Sequence, residues 1–222
     1  MKIFFDIDNT LFNTKEFAEL ARKNAINAMV NLGLNQDPKQ LYDRLIKIID
    51  KKGSNYKMHF DDLCKELKLK KYSKYVAGAV AAYHNTKSTI SPYPEVVKTL
   101  IKLKEEGHLL YVATNGNAIK QWDKLIRLGV AHFFDDAFVS EEIKHEKSKK
   151  FFEIVIKNTG SKKEKCVMVG DKEESDIVPA KQAGLIAIKV IKKEYKDQKS
   201  SADFQIDDLS QILEIIKTQM FR

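Results

Sequence analysis

The stretch Met1-Lys-Ile-Phe-Phe-Asp-Ile-Asp-Asn-Thr10 decides how the rest of the chain is read. Ile3, Phe4 and Phe5 form an unbroken apolar run, the pattern of a short strand buried on both faces, and the run stops at two carboxylates spaced i, i+2. In extended chain those positions point the same way, so Asp6 and Asp8 are expected to sit close together at the strand end. Two anions at the margin of an apolar core call for a hard cation, a basic side chain or a shared proton. Open α/β sheets bind their ligands at the carboxyl ends of strands, which is where these carboxylates fall. Taken locally the same residues also read as helix caps, because Asp, Asn and Thr all serve there, so the remaining chain has to decide.

Downstream of Thr14 the strand signal disappears. From Lys15 to about Thr86 the apolar residues fall at three- and four-residue spacing: Phe17, Leu20, Ala21, Ala25, Ala28 and Met29, then Leu41, Leu45, Ile48 and Ile49. Further groupings at Phe60, Leu63, Cys64 and Leu67, and at Val76, Val80 and Tyr83, bring the expectation to four or five amphipathic helices, able to pack as a small domain of their own. Past Ser91-Pro-Tyr-Pro94 strands and helices alternate. Strands are expected at Leu109 to Ala113, weakly at Ala137 to Ser140, at Lys165 to Val169 and at Ile186 to Ile191. Helices are expected at Val96 to Leu103, Ala118 to Leu128, Ser148 to Lys157, Asp176 to Gln182 and Leu209 to Met220. Such alternation predicts an α/β fold: an open, parallel, Rossmann-like sheet with helices on both faces, to which the first strand belongs. The domains are then residues 1–14 with 89–222 as the α/β core and residues 15–88 as an inserted helical cap. Lys192 to Ser201 reads as a polar loop.

The bulk composition narrows the class. With 222 residues, 43% of them hydrophobic, the chain can bury a full core, and no apolar run approaches the ~20 residues that span a bilayer. Lys2 leads directly into the strand without a signal-peptide pattern, so a cytoplasmic protein with no membrane association is expected. Cys64 and Cys166 flank no motif, which leaves no zinc or disulfide framework and suggests buried thiols. The net charge of +8 favours anionic ligands. The lysines are nevertheless scattered and lack aromatic interleaving, so a solvated surface is expected rather than a nucleic-acid interface.

The strand ends carry the chemistry. Leu109 to Ala113 runs into Thr114-Asn115-Gly116, a strand-to-helix turn with donors suited to a phosphate. The strand ending at Val169 runs into Gly170-Asp171, with Asp176 where a helix is due to begin; by itself Asp176 reads as an N-cap. Lys147 follows the weak strand. Together these ends put acids, a hydroxyl and a lysine at one edge of the sheet.

DIDNTLFNT (6–14), VATNG (112–116), SEEIKHEKSKKFF (140–152) and VGDKEESDIVPAKQAG (169–184) resemble, in order, the four motifs of the haloacid dehalogenase-like hydrolases. The helical stretch between the first two is similar in position and length to the cap of the subfamily that includes phosphoglycolate phosphatase and β-phosphoglucomutase. The resemblance implies that Asp6 attacks phosphorus and becomes an aspartyl phosphate, while Asp8 protonates the leaving oxygen and then deprotonates the hydrolytic water. It further implies Mg2+ held by the Asp6 side chain, the Asp8 backbone carbonyl and Asp171, with Asp176 in support. Thr114 and Lys147 would hold the phosphoryl oxygens, and Asn115 and Gly116 would shape that pocket. Ser148 stands where the family commonly has proline after the lysine, and Lys144, Lys149 and Lys150 are alternatives to Lys147.

Dehalogenases of this type lack an acid at the position of Asp8, so phosphate chemistry is expected: hydrolysis of a small phosphorylated metabolite by a magnesium-dependent phosphatase. A phosphomutase, passing the phosphoryl group to a second hydroxyl, and a non-catalytic binding protein on the same fold are the alternatives. Tyr83-His84-Asn85-Thr86-Lys87 and His59 are candidates for substrate contact, although packing or surface roles are the ordinary expectation for such residues, as they are for Trp122. Monomer and homodimer are both left open by the sequence.

Overall fold

The computed structural model describes residues 1–54, 56–191 and 199–220, and in it β1 (Lys2–Phe5) runs through the middle of the sheet with Ile3, Phe4 and Phe5 wholly enclosed. Full enclosure requires covered faces on both sides, which is the setting an unbroken apolar strand needs. Cα packing divides the chain into two compact units, Met1–Asn13 with Ser91–Arg222, and Thr14–Ile90.

The second unit is helical: α1 (Thr14–Asn31), α2 (Pro38–Lys52), α3 (His59–Glu66) and α4 (Ser73–Lys87). α1 lies along α4. Ala21, Ala25 and Ala79 are fully buried, and Gly78 leaves no room for a Cβ beside the Leu32 side chain. Asp37 caps α2 by accepting from the Gln40 N–H at 2.8 Å, with Pro38 in the first turn where its missing N–H costs nothing. Leu41, Leu45, Ile48 and Ile49 then close on Ala25, Ile26, Met29, Leu63 and Cys64 to form this unit's core. Leu20 and Val80, expected on the apolar stripes, are instead 47% and 40% exposed, because the buried faces turn about Ala21 and Ala79.

The first unit continues with α5 (Val96–Glu105), β2 (Leu109–Thr114), α6 (Ala118–Arg127), β3 (Asp136–Val139), α7 (Ser140–Ile143), α8 (Lys149–Thr159), β4 (Cys166–Gly170), α9 (Val178–Ala183), β5 (Ile186–Val190), β6 (Phe204–Ile206) and α10 (Ile212–Met220). Every pairing is parallel and the order is β3-β2-β1-β4-β5-β6. Phe5 stands opposite Val112 on one side and Val169 on the other, so Asp6 emerges level with the ends of both neighbours. The order reverses about β1, and the carboxyl edge there is the place where such sheets form a crevice. On one face Phe4 stacks on Tyr111 at 5.2 Å between ring centroids and joins Phe138, Phe151, Phe152 and Val155. On the other, Phe5 meets the edge of Phe134 at 6.1 Å. Burying each of these aromatics contributes on the order of 1.5–3 kcal/mol, and the layers so made hold the strand ends in register.

Three elements differ from the sequence expectation. A sixth strand, β6, pairs with β5; its three residues offer too little alternation to read. The helix expected from Asp176 begins instead at Val178, after a wide π turn over Glu173–Ile177. The last helix starts at Ile212, preceded by a 3-10 turn over Leu209–Gln211. Most of the polar loop expected at Lys192 to Ser201, namely residues 192–198, lies outside the described residues. Cys64 and Cys166 are both buried thiols, and among the described residues no helix is long and apolar enough to cross a membrane.

Candidate active site

Asp6 continues the line of β1 past its last residue, its N–H donating to the Val169 carbonyl at 2.9 Å. The chain then turns tightly, Leu11 N–H reaching the Ile7 carbonyl at 3.0 Å, with Asn9 in the left-handed region at φ 57°. This turn, rather than a helix cap, is what the Asp-Asn-Thr run forms. Asp6 is only 4% exposed. Its Oδ1 accepts from Lys147 Nζ at 2.6 Å, and the same ammonium, on a side chain 3% exposed, also contacts Asp176 Oδ1. Lys147 thus closes the gap between the strand-end acid and the turn after β4. Of the other lysines in that segment, Lys144 sits in the left-handed region and Lys149 faces Glu153 at 3.8 Å.

Asp176 is wholly buried. Its Oδ2 accepts from the Lys172 N–H at 3.0 Å, closing the π turn on itself. Gly170 lies against this carboxylate so tightly that a Cβ there would collide with it. Asp171 accepts from the Asn9 carboxamide at 3.3 Å through Oδ2, while its buried Oδ1 has no hydrogen-bond partner among the described residues. One oxygen from each of Asp6, Asp171 and Asp176 lies within 4.8 Å of the other two. Burial pushes the Asp6 carboxyl upward, and the charges of Asp176 and Asp8 add to this against the downward pull of Lys147. The Asp171 carboxyl is pushed upward too, by burial first and then by the charge of Asp176. For Lys147 desolvation acts downward, but the two carboxylates outweigh it and hold the ammonium charged.

Three carboxylates and one ammonium leave the cluster two negative charges in excess, and an all-oxygen donor set with one orphaned buried oxygen suits a hard divalent cation. The residues therefore fit such an ion.

The carboxylate of Asp8 supplies none of the three grouped oxygens, although its charge reaches Asp6. Lys124 of α6 donates to both of its oxygens, at 2.6 and 2.7 Å. The β2 turn lies beside Lys147 and is fastened to it. Asn115 Oδ1 accepts the Lys147 backbone N–H at 2.7 Å, and Gln121 Nε2 donates to the Asn115 carbonyl at 2.6 Å. The Gly116 N–H donates to Ser140 Oγ at 2.9 Å, in a conformation with φ 126° that favours glycine. Thr114 is buried at the end of β2. Glu141 accepts from Asn117 and from the Ala118 N–H at 2.8 Å, locking the start of α6 to α7, and these bonds hold its carboxyl below the usual range. Glu173, in the π turn, accepts from Lys189, Ser200 and Ser201; burial works against its charge, but these donors outweigh it and hold the carboxyl near 2.

Lys124, Asn9, Glu141 and Glu173 are the residues that sequence reading passed over. For Lys124 a signal existed: Ala118, Gln121 and Leu125 mark the buried side of α6, and Lys124 follows Gln121 at i+3, beside that face. The candidates in the helical unit have local partners. His59 Nε2 lies 3.0 Å from the Gly53 carbonyl, Thr86 joins Asn24 at 2.9 Å, and Tyr83 packs edge-on against Phe17. Trp122 is partly buried on α6.

Comparison with known proteins identifies the family. The sequence model described as haloacid dehalogenase-like hydrolase matches residues 3–191. A glyceraldehyde 3-phosphate phosphatase of Methanocaldococcus jannaschii is 44% identical over 219 residues, covering 97% of this chain and 96% of that protein. Among solved structures, a putative beta-phosphoglucomutase from Thermotoga maritima superposes with a TM-score of 0.74 at 20% identity, covering 98% of both chains. A putative hydrolase of Bacillus subtilis bound to magnesium gives 0.68 at 21% identity over 97% of both. At these identities the structural likenesses speak for the fold. The sequence match extends over nearly the whole length to a named phosphatase, and with it the chain belongs to the haloacid dehalogenase-like hydrolases and is a phosphoric monoester hydrolase among them.

Proposed function

We propose that the protein is a magnesium-dependent, cytoplasmic phosphatase that hydrolyses glyceraldehyde 3-phosphate, or a phosphorylated metabolite of closely similar size, through an aspartyl phosphate on Asp6. The observation that carries the reading is the buried ammonium of Lys147 on Asp6, in the same cluster as the unpartnered oxygen of Asp171. The substrate rests on the name of a relative that matches this chain almost end to end. The mutase reading draws only on a fold-level likeness and has no observation of its own.

In this reading the Asp6 carboxylate attacks phosphorus, the bond from phosphorus to the ester oxygen breaks, and that oxygen takes a proton from Asp8. Water then attacks the aspartyl phosphate and gives its proton to Asp8, inorganic phosphate leaves and Asp6 is restored. Lys147 holds an equatorial phosphoryl oxygen and is kept charged for that task by its two carboxylates. Thr114 offers its hydroxyl from the end of β2, and Asn115 and Gly116 fix the turn that presents it. Asp6, Asp171 and the backbone carbonyl of Asp8 would hold the ion, with Asp176 fixing the surrounding charge. Magnesium supplies charge neutralisation between an anionic nucleophile and an anionic ester.

The test is phosphate release from a panel of small esters headed by glyceraldehyde 3-phosphate, with magnesium and with chelator, for the wild type and Asp6→Asn. Turnover that needs the metal and falls at least ~10³-fold in the variant is expected, as for loss of a nucleophile. If Asp6→Asn retains wild-type turnover, the mechanism is wrong; if other esters outrun glyceraldehyde 3-phosphate, the substrate is wrong.

A further inference from the structure

The Lys124 ammonium donates to both oxygens of Asp8, at 2.6 and 2.7 Å, and both residues belong to the α/β unit. The pair is partly buried, with side-chain exposures of 16% and 27%. Lys124 is carried there by a helix whose start is locked by Asn117 and Glu141 and whose inner side is packed through Ala118, Gln121 and Leu125. A lysine on such a support loses less freedom in forming the contact than one on an open surface. Nothing in the phosphatase mechanism above uses Lys124, since the phosphoryl group, the nucleophile and the ion are served by other groups.

We infer that Lys124 is a positioning residue for proton transfer, holding the carboxyl of Asp8 in place and stabilising the negative charge that grows on it as its proton passes to the leaving oxygen. The inference rests on the phosphatase reading. While Asp8 is protonated, one oxygen accepts from Lys124 and the other carries the proton. As the ester bond breaks and the proton moves to the leaving oxygen, both Asp8 oxygens become acceptors again, which is the two-bonded state seen here. The proton comes from Asp8 and is returned to it by water in the second step, and Lys124 keeps its own three throughout. An ammonium fixed beforehand next to developing charge stabilises the transition state more than the ground state.

This role depends on how badly the leaving oxygen needs a proton, which separates it from a merely structural one. An alkoxide leaving from an alkyl ester needs one, whereas p-nitrophenolate is stable as an anion. The experiment measures kcat/KM, which reports the steps up to phosphoryl transfer, for Lys124→Met, Lys124→Arg and the wild type. The substrates are p-nitrophenyl phosphate and an alkyl ester that the wild type turns over, glyceraldehyde 3-phosphate first. The expected loss for Lys124→Met is about 30- to 100-fold on the alkyl ester and less than about threefold on the aryl ester, in the range of a weakened general acid. Lys124→Arg, which keeps the cation, is expected to recover most of the alkyl rate. Equal losses on both esters, or no loss on either, overturn the inference while leaving the phosphatase reading intact. Retained aryl turnover certifies that the variant is folded; should Lys124→Met lose it, Lys124→Gln is read in the same way. A wild type without metal-dependent turnover, or an Asp6→Asn variant that keeps it, overturns both readings together.

Discussion

At Gly170 the chain passes so close to the carboxylate of Asp176 that any side chain would displace it. That carboxylate is fixed by the Lys172 N–H and by Lys147, so it has no unstrained position to retreat to. Gly170→Ala is expected to destabilise the fold by about 1–3 kcal/mol, as overpacking in a core does. The same change is expected to weaken magnesium binding at least tenfold by calorimetric titration, because moving Asp176 also moves Lys147. Wild-type affinity in a folded Gly170→Ala protein would show that Asp176 has no part in holding the ion. The need for glycine here comes from close approach across the π turn, which no local pattern announces, whereas the acids themselves were legible. Asp6 and Asp171 interrupt apolar strands, and a carboxylate at that position is costly enough to demand an explanation from the sequence alone. Asn9 was not legible as a site residue, and Lys124 was legible only by its place on the inner side of α6, since their meaning lies in the partners Asp171 and Asp8, set far away along the chain.

The alternation of strands and helices could be read because each central strand is covered on both faces and so becomes a continuous apolar run, as in Leu110 to Ala113 or Cys166 to Val169. β6 escaped because an edge strand of three residues, with Gln205 exposed between Phe204 and Ile206, carries almost no pattern. The start of α9 was misplaced because Asp176, a good cap by type, is turned inward by the π turn and paired with Lys147 instead. At the amino ends of β1 and β2, the edge away from the site, His108 is 2% exposed, its Nδ1 3.1 Å from the Met1 amino group and its Nε2 3.7 Å from Glu106. Burial, and then the charge of the Met1 amino group, push this imidazole below its ordinary 6.5, against the smaller upward pull of Glu106. Below that value the unfolded chain binds the proton first, so stability is full above about 6.5 and is lost as pH falls towards the folded pKa. Wild-type unfolding free energy is therefore expected to drop between pH 7.5 and 5.5 more steeply than that of His108→Gln, the difference not exceeding about 1.4 kcal/mol per pH unit. Parallel urea midpoints across that range, in both proteins, would remove His108 as the cause.

On the scale of the whole molecule, basic residues outnumber acidic ones, yet three carboxylates are gathered within one mostly buried cluster. The helical unit could be anticipated from a change of period, from strand-like to helical and back, but its internal pairing, α1 along α4 with small residues between, could not. The acidic cluster makes a prediction that only global stability reads. In the absence of an ion, Asp6, Asp171 and Asp176 repel one another and Asp171 Oδ1 is left without a donor, so the folded state carries that cost. Binding an ion to the folded chain alone should raise stability by about 2.7 kcal/mol at a hundredfold excess over its dissociation constant, seen as a rise in the thermal midpoint of roughly 2–4 °C per kcal/mol for a chain of this size. Asp171→Asn removes one of the three charges and supplies a donor in its place. In chelator this variant is expected to unfold at the same temperature as the wild type or higher, and magnesium is expected to move its midpoint little or not at all. Such an exchange of stability for a strained functional cluster is common where a site needs charge that the fold does not. An Asp171→Asn protein that is less stable than the wild type in chelator and still gains the full magnesium shift would mean that the ion is held elsewhere. In that case the excess charge of the cluster would have to be balanced by protons instead.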